Sequence, residues 1–239
     1  MSATVPEALR HPVLRRFRLR RLRLPVGGQT LDVVVPDASE WIRRGDWVAA
    51  RTRGEEPPYW VQVWPASVAI ARALSRRRGL AGLRVLDLGC GLGVPGVAAA
   101  ALGAEVTFVD REASAVAFAT WNAEKAAGRP QTGCVSNWFH GVTPGCFDLI
   151  LLADVTYHPG LHEPVLRQIR AGLAEDGVLV HCDPLRAEAT PFVVQVANSL
   201  PSLLIEQSVW HEERRTRVRL LVASASREVL QAWSKVLVE

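Results

Sequence analysis

The fold is decided by one stretch of the sequence, Val85-Leu86-Asp87-Leu88-Gly89-Cys90-Gly91-Leu92-Gly93-Val94-Pro95-Gly96. An apolar run of strand length leads into closely spaced glycines, and Pro95 suits the first turn of a helix. A turn from strand to helix lets a ligand reach backbone N–H groups at the carboxyl edge of a sheet. Glycines are needed there because side chains would block that approach. The stretch therefore predicts a ligand site.

Strands and helices alternate after this stretch. The predicted strands are 83–88, 105–109, 131–135, 147–153 and 177–181, and the predicted helices are 95–102, 112–127, 162–174 and 187–200. Such alternation implies a mainly parallel sheet with helices on both faces. The last two strands, 203–209 and 217–223, are separated only by a polar turn, which makes them an antiparallel hairpin. The expected fold class is therefore α/β, with a Rossmann-like sheet whose last strand is antiparallel.

The N-terminal part has a different character. Residues 15–24 and 30–35 read as two strands around a turn that contains Gly27 and Gly28, which predicts a β-hairpin. The net charge is +4, and seven arginines lie before residue 25. They alternate with apolar residues, which favours a strand with a solvated arginine face over a nucleic-acid site. We expect residues 1–58 to form this hairpin extension and residues 59–239 to form the main domain.

Two cofactors fit the glycine stretch. The strand 105–109 ends at Asp110, whose carboxylate can accept both hydrogen bonds of a ribose diol. Residues 91–96 match G-x-G-x-x-G, so an NAD(P)-dependent oxidoreductase is one alternative. The earlier Gly89, with Asp87 two residues before it, extends the pattern to D-x-G-x-G-x-G. This longer pattern resembles the S-adenosylmethionine motif and favours that cofactor.

Two further motifs make a resemblance specific. Upstream is Tyr59-Trp60-Val61-Gln62-Val63-Trp64-Pro65-Ala66-Ser67, and downstream is Phe147-Asp148-Leu149-Ile150-Leu151-Leu152-Ala153-Asp154-Val155-Thr156-Tyr157. With the glycine loop, they resemble the seven-strand (class I) S-adenosylmethionine-dependent lysine methyltransferases that carry an Asp/Glu-x-x-Tyr motif, methyltransferase family 16. Members of that family act on chaperones and on the β subunit of electron transfer flavoprotein. The resemblance implies a seven-stranded class I methyltransferase sheet in residues 59–239.

The resemblance also implies the site residues. The implied cofactor-binding residues are Trp64, Asp87, Gly89, Cys90, Gly91, Gly93, Asp110, Trp138 and Ala153. Asp110 would hold the ribose and Trp138 would lie beside the adenine, although Asn137 departs from the Asp that the family often has there. Asp154 and Tyr157 would form the Asp-x-x-Tyr motif at the acceptor site.

The motif suits an amine acceptor. A lysine arrives as an ammonium ion and must lose a proton before it attacks, and a carboxylate at Asp154 would attract and orient it. Tyr157 would wall the channel. No metal site is expected, because Pro159 and Gly160 interrupt the helix that would align His158 with His162.

The expected function is therefore S-adenosylmethionine-dependent N-methylation, with a lysine of a protein as the acceptor. A small-molecule amine or nicotinamide-like heterocycle, an oxidoreductase reaction and a non-catalytic module that binds nucleic acid remain alternatives. No apolar run reaches the roughly 18–20 residues that span a bilayer. The four cysteines contain no C-x-x-C pair, as is usual in a reducing compartment. We expect a cytoplasmic monomer that binds neither membrane nor nucleic acid.

Overall fold

A seven-stranded sheet is the centre of the fold. The computed structural model describes residues 4–26, 29–39, 45–54, 56–77 and 79–238. The strands are β1 (Leu19–Val26), β2 (Gln29–Pro36), β3 (Arg84–Leu88), β4 (Glu105–Asp110), β5 (Thr132–Val135), β6 (Phe147–Ala153), β7 (Leu173–Asp183), β8 (Ser202–His211) and β9 (Arg214–Ala223). The α-helices are α1 (Val5–Ala8), α2 (Asp46–Thr52), α3 (Pro65–Ser75), α4 (Val94–Ala101), α5 (Ala113–Ala127), α6 (His162–Gly172), α7 (Thr190–Ser199) and α8 (Arg227–Val238).

The strand order confirms the expected fold class. The large sheet has the order β5-β4-β3-β6-β7-β9-β8, and β1 pairs only with β2 in a separate two-stranded sheet. Strands β3 to β7 are parallel to one another, whereas β9 is antiparallel to both β7 and β8. The carboxyl ends of β3, β4, β6 and β7 therefore share one edge of the sheet, where ligands bind in open α/β folds.

Helices cover both faces of this sheet, which explains the continuous apolar strands. In β3, every residue after Arg84 is buried, as expected of a parallel strand between two helical layers. Val85 packs into the cluster formed with α3, α4 and α5, whereas Leu86 packs into the cluster formed with α6 and α7. The alternation of side chains along a strand thus divides the core into two layers. No helix in the described ranges is both long and apolar enough to cross a bilayer.

The predicted N-terminal hairpin is confirmed, and it shares the core of the main sheet. Val33 and Val35 of β2 are buried in the same cluster as α3 to α5. The buried Asn122 side chain of α5 accepts the Val34 N–H (2.8 Å) and donates to the Val34 carbonyl (2.9 Å). This pair clamps β2 to the helix. The division into residues 1–58 and 59–239 stays a prediction, and Gly27 and Gly28 lie outside the described residues.

Three elements differ from the sequence predictions. Strand β7 begins at Leu173, four residues before the predicted start, because the chain extends directly from the end of α6. Helix α2 was not predicted from the sequence. Helix α8 was not predicted; its Trp233 is buried and stacks under the Arg77 guanidinium at 4.2 Å from the ring centroid.

Candidate active site

The loop between β3 and α4 needs its glycines. Gly89, Gly91 and Gly93 have φ values of 67°, 50° and 74°, a left-handed region that side chains disfavour. A Cβ atom on Gly89 would lie 2.6 Å from the Trp138 ring and 2.7 Å from a Val155 methyl group. Trp138 and Val155 therefore pack directly against the loop, and they leave no space for a side chain at residue 89.

A cavity of about 640 Å³ opens at this loop, within the size range of ligand pockets. It brings together ten of the eleven predicted site residues: Trp64, Gly89, Cys90, Gly91, Gly93, Asp110, Trp138, Ala153, Asp154 and Tyr157. The same cavity therefore contains the residues expected at the cofactor and the two expected at the acceptor. Their roles remain predictions.

Asp87, the eleventh residue, is not among the described residues that line the cavity. It is buried beneath the loop, and its Oδ2 accepts the Gly96 N–H at 2.9 Å. Burial raises the pKa of Asp87 to about 8. The side chain thus ties the end of β3 to the first turn of α4, and its influence on a ligand is indirect.

Asp110 lies at the end of β4 and faces the loop. Its Oδ2 accepts the Gly91 N–H at 2.9 Å, and its Oδ1 accepts the Glu112 N–H at 3.0 Å. Burial raises its pKa, although the two backbone hydrogen bonds oppose that shift. A carboxylate has about four lone-pair sites, so the side chain can fix the loop and still accept hydrogen bonds from a ligand.

We expect Asp110→Asn to weaken binding of S-adenosylhomocysteine, the demethylated product of the proposed cofactor, by about tenfold. The amide has one acceptor oxygen, so it cannot receive both backbone N–H groups and a ribose diol, and one lost hydrogen bond to a charged group corresponds to roughly 1.5 kcal/mol or more. Isothermal titration calorimetry checks this. Glu105→Gln, at the exposed start of β4 and not among the described residues that line the cavity, is the control and should bind as the parent does; equal affinity of the Asp110 variant would contradict the role.

Aromatic side chains form the walls around the loop. The Trp64 indole N–H donates to the Tyr59 carbonyl at 3.0 Å. The Tyr59 ring also meets the edge of Tyr157, with centroids 5.6 Å apart. On the other side, Arg167 donates to the Trp138 carbonyl at 2.8 Å and to the next carbonyl at 3.1 Å. Tyr59 was quoted above only as part of a motif, and Arg167 was not identified, because its contact with residue 138 is long-range.

The acceptor end of the cavity is built on the last residues of β6 and the turn after it. Asp154 is buried, has a φ of 57°, and donates its N–H to the Cys182 carbonyl on β7 at 2.8 Å. Burial raises the pKa of its carboxyl group, and the neighbouring Arg186 lowers it. Burial also raises the pKa of Tyr157 to about 12, so its hydroxyl stays protonated near neutral pH.

Arg186 pairs with Asp154, and this contact was not predicted from the sequence. Its Nε donates to Asp154 Oδ1 and its Nη2 donates to Asp154 Oδ2, both at 2.7 Å. The sequence contains no local signal for this pair, since Arg186 lies in a loop 32 residues beyond Asp154. At the other side of the cavity, Arg111 pairs with Glu56, which the sequence analysis had also not identified.

His158 and His162 contact the backbone of neighbouring residues. His158 accepts the Gly160 N–H at 3.1 Å, and the buried His162 ring lies 3.2 Å from the Thr156 carbonyl. In the described part of the chain, no group of three or more metal-binding side chains occurs. Burial raises the pKa of the Cys90 thiol well above its usual range, so this cysteine is a poor nucleophile.

Comparison with known families adds an independent finding. Residues 80–220 match the family model described as "Methyltransferase domain". The matched region begins just before β3 and ends in β9, so it contains the whole parallel part of the sheet, the glycine loop and Asp154.

Several curated proteins are similar to part of the chain. The electron transfer flavoprotein beta subunit lysine methyltransferase of Danio rerio is 34% identical, over 55% of this chain and 52% of that protein. The protein N-lysine methyltransferase METTL21A of Danio rerio is 40% identical, over 40% and 47%. The histone-arginine methyltransferase METTL23 of Rattus norvegicus is 33% identical, over 46% and 52%. The chain thus spans about half the length of the curated relatives it matches.

A solved structure shares the fold. The T. thermophilus 16S rRNA methyltransferase RsmC, determined with AdoMet and guanosine, superposes with a TM-score of 0.57 at 19% identity, covering 87% of this chain and 51% of that one. At this identity the likeness extends to the fold alone. It agrees with the strand order described above.

Proposed function

The chain belongs to the methyltransferase domain family, and from this membership we propose that it transfers a methyl group from S-adenosylmethionine to a lysine side chain of a protein. One observation carries the proposal. The glycine loop with Asp110 and the Asp-x-x-Tyr motif with Asp154 and Tyr157 line one continuous cavity. A donor and an acceptor bound in these two parts would therefore meet.

The residues at the loop fit this cofactor. Gly89 and Gly91 present backbone without side chains, as a closely held ligand requires, and Asp110 stands where a ribose diol would be received. Trp64 and Trp138 supply flat apolar walls. When bound, S-adenosylmethionine supplies a methyl group on a positively charged sulfur. The chain's own contribution is to hold both partners in line and to exclude water.

The residues at the acceptor end fit a cationic amine. The rings of Tyr59, Trp64 and Tyr157 face the same cavity as the Asp154 carboxylate. Aromatic faces and a carboxylate attract ammonium groups. Tyr157 can donate its hydroxyl hydrogen bond, because its proton is retained. Asp154 orients the amine as it approaches.

The relatives support a protein acceptor. Two of them are named as lysine methyltransferases and one as a histone-arginine methyltransferase, so an arginine is the second candidate acceptor. Both side chains are cationic and suit the same walls. The buried, unpaired cysteines Cys90 and Cys182 are typical of a reducing compartment. We place the activity in the cytoplasm, on a monomeric enzyme.

Incubation with tritiated S-adenosylmethionine and a cell lysate tests the proposal. We expect label in a discrete protein band that releases methyllysine on acid hydrolysis. Methylarginine would move the acceptor to the second candidate, and label only in small molecules would contradict a protein substrate. If NADH raises the melting temperature of the protein and S-adenosylhomocysteine does not, the cofactor assignment is wrong.

A further inference from the structure

The ion pair between Asp154 and Arg186 is bidentate and short. Two parallel N–H···O bonds of 2.7 Å join the guanidinium to both carboxylate oxygens. The Asp154 side chain is only 4% exposed, whereas that of Arg186 is 34% exposed. A bidentate pair fixes direction as well as distance. The carboxylate therefore has one orientation at the cavity wall.

The loop that carries Arg186 is itself held in place. The buried Asp183 accepts the Arg186 N–H on Oδ1 at 2.7 Å. Arg219 of β9 donates to Asp183 Oδ2 at 3.0 Å and to the Arg186 carbonyl at 3.3 Å. Leu185 has a φ of 56°, a strained conformation for this residue that the surrounding contacts must maintain. These contacts direct the Arg186 side chain toward Asp154.

We infer that Arg186 is the positioning residue of the acceptor site: it fixes the Asp154 carboxylate in the orientation that receives the substrate amine. The inference rests on the proposed function for the identity of that amine. Arg186 is not among the described residues that line the cavity, so it acts through Asp154. Each carboxylate oxygen accepts one hydrogen bond from Arg186 and retains a lone pair for the substrate.

Arg186 and Asp154 have different roles in the acceptor site. A guanidinium does not lose its proton in proteins, so Arg186 cannot accept one from the substrate. Its positive charge makes Asp154 a weaker base, which opposes the effect of burial. Arg186 thus favours the ionised form of Asp154, which orients the cationic amine.

Several other titratable groups surround the pair. They are His181, Cys182 and Asp183 of β7, Arg219 of β9, Glu188 beyond Arg186, and Tyr157 and Asp110 at the cavity. Burial lowers the pKa of His181 to about 4, so it is neutral near pH 7. Asp183 is paired with Arg219. Removing Arg186 therefore leaves Asp154 without its main compensating charge.

Carbon-13 NMR of protein labelled at the aspartate carboxyl groups tests the hold on Asp154 without any substrate. The Asp154 signal is assigned by its loss in Asp154→Asn. We expect the titration midpoint of Asp154 in Arg186→Met to lie at least about one pH unit above that in the parent, since a neighbouring opposite charge shifts a pKa by about 1–3 units. Equal midpoints would overturn the inference.

Transfer of label into the lysate proteins tests the consequence. At saturating S-adenosylmethionine, Arg186→Met should reduce the rate near pH 7 by about 10- to 100-fold, with an acid limb moved to higher pH and an unchanged Kd for S-adenosylhomocysteine. Arg186→Lys should restore part of the rate. A rate equal to that of the parent, or no difference between Met and Lys, would contradict a positioning role.

The surface pair of Arg84 and Asp148 provides a matched control. It is also bidentate, with N–H···O distances of 3.2 and 2.9 Å, and it lies at the start of β3, away from the cavity. Arg84→Met should change neither measurement. If the parent protein labels nothing, the proposed function fails, whereas the NMR titration still decides whether Arg186 governs Asp154.

Discussion

Asp154→Asn is expected to reduce methyl transfer by at least about 100-fold while the Kd for S-adenosylhomocysteine stays within about threefold of the parent value. The amide keeps the size of the side chain but loses the negative charge that meets the substrate cation. It also turns an NH₂ group toward Arg186, so the bidentate pair cannot form. Label transfer into lysate proteins and calorimetry measure the two quantities.

Asp148→Asn is the control for this change. It removes one partner of an equivalent arginine pair at the protein surface, and both the rate and the affinity should remain those of the parent. Combining Asp154→Asn with Arg186→Met should add little further loss, because the two side chains act as one unit. If Asp154→Asn strongly weakens cofactor binding but leaves the rate at saturating cofactor unchanged, Asp154 belongs to the cofactor site and the acceptor assignment is wrong.

Gly89→Ala should weaken binding of S-adenosylhomocysteine by about 100-fold. The added methyl group would lie 2.6 Å from the Trp138 ring and 2.7 Å from Val155, so the ring or the loop must shift, at a cost of about 1–3 kcal/mol. The left-handed backbone adds roughly 1–2 kcal/mol. Calorimetry measures the affinity, and circular dichroism confirms that the variant is folded.

Gly128→Ala separates the cost of the steric clash from the cost of the left-handed backbone. Gly128 ends α5 with a φ of 69°, close to that of Gly89, but a Cβ atom there meets nothing within 4 Å. We expect this variant to lose some stability and to bind the cofactor product as the parent does. Equal affinities for Gly89→Ala and the parent would show that the loop does not approach the ligand.

Most of the fold could be predicted from the sequence because its signals are local. The strand 147–153 was predicted with the bounds that β6 has, since its apolar run over residues 149–153 marks a buried parallel strand. The polar turn after β8 predicted the antiparallel β9. Helix α8 also has a local signal that was not used: Val229, Leu230 and Trp233 are spaced to share one helical face, and all three pack on the core.

The site could be predicted only where a motif carries it. Asp110 and Asp154 end strands at the same sheet edge, so their proximity follows from topology. The hydrogen-bond partners of these residues cannot be predicted from the topology. Arg186 lies in a loop 32 residues beyond Asp154, and no spacing rule connects the two. Asp87 belongs to the motif, yet its contact with Gly96 beneath the loop depends on how α4 packs against β3.

The relatives and the geometry both favour the cationic acceptor that we propose. Lysine and arginine methyltransferases both occur among the similar proteins, and the aromatic walls with Asp154 suit either side chain. A neutral heterocycle would gain little from the carboxylate. Arg186 opposes the rise in the Asp154 pKa that burial causes, and so favours the ionised carboxylate that a charged substrate would need.

Isothermal titration calorimetry of the purified, folded chain with S-adenosylhomocysteine tests the central claim most directly. The account predicts saturable binding at one site per chain, retained in Asp154→Asn and Arg186→Met and weakened in Asp110→Asn and Gly89→Ala. Absence of binding by both S-adenosylmethionine and S-adenosylhomocysteine, in protein that unfolds cooperatively on heating, would contradict it.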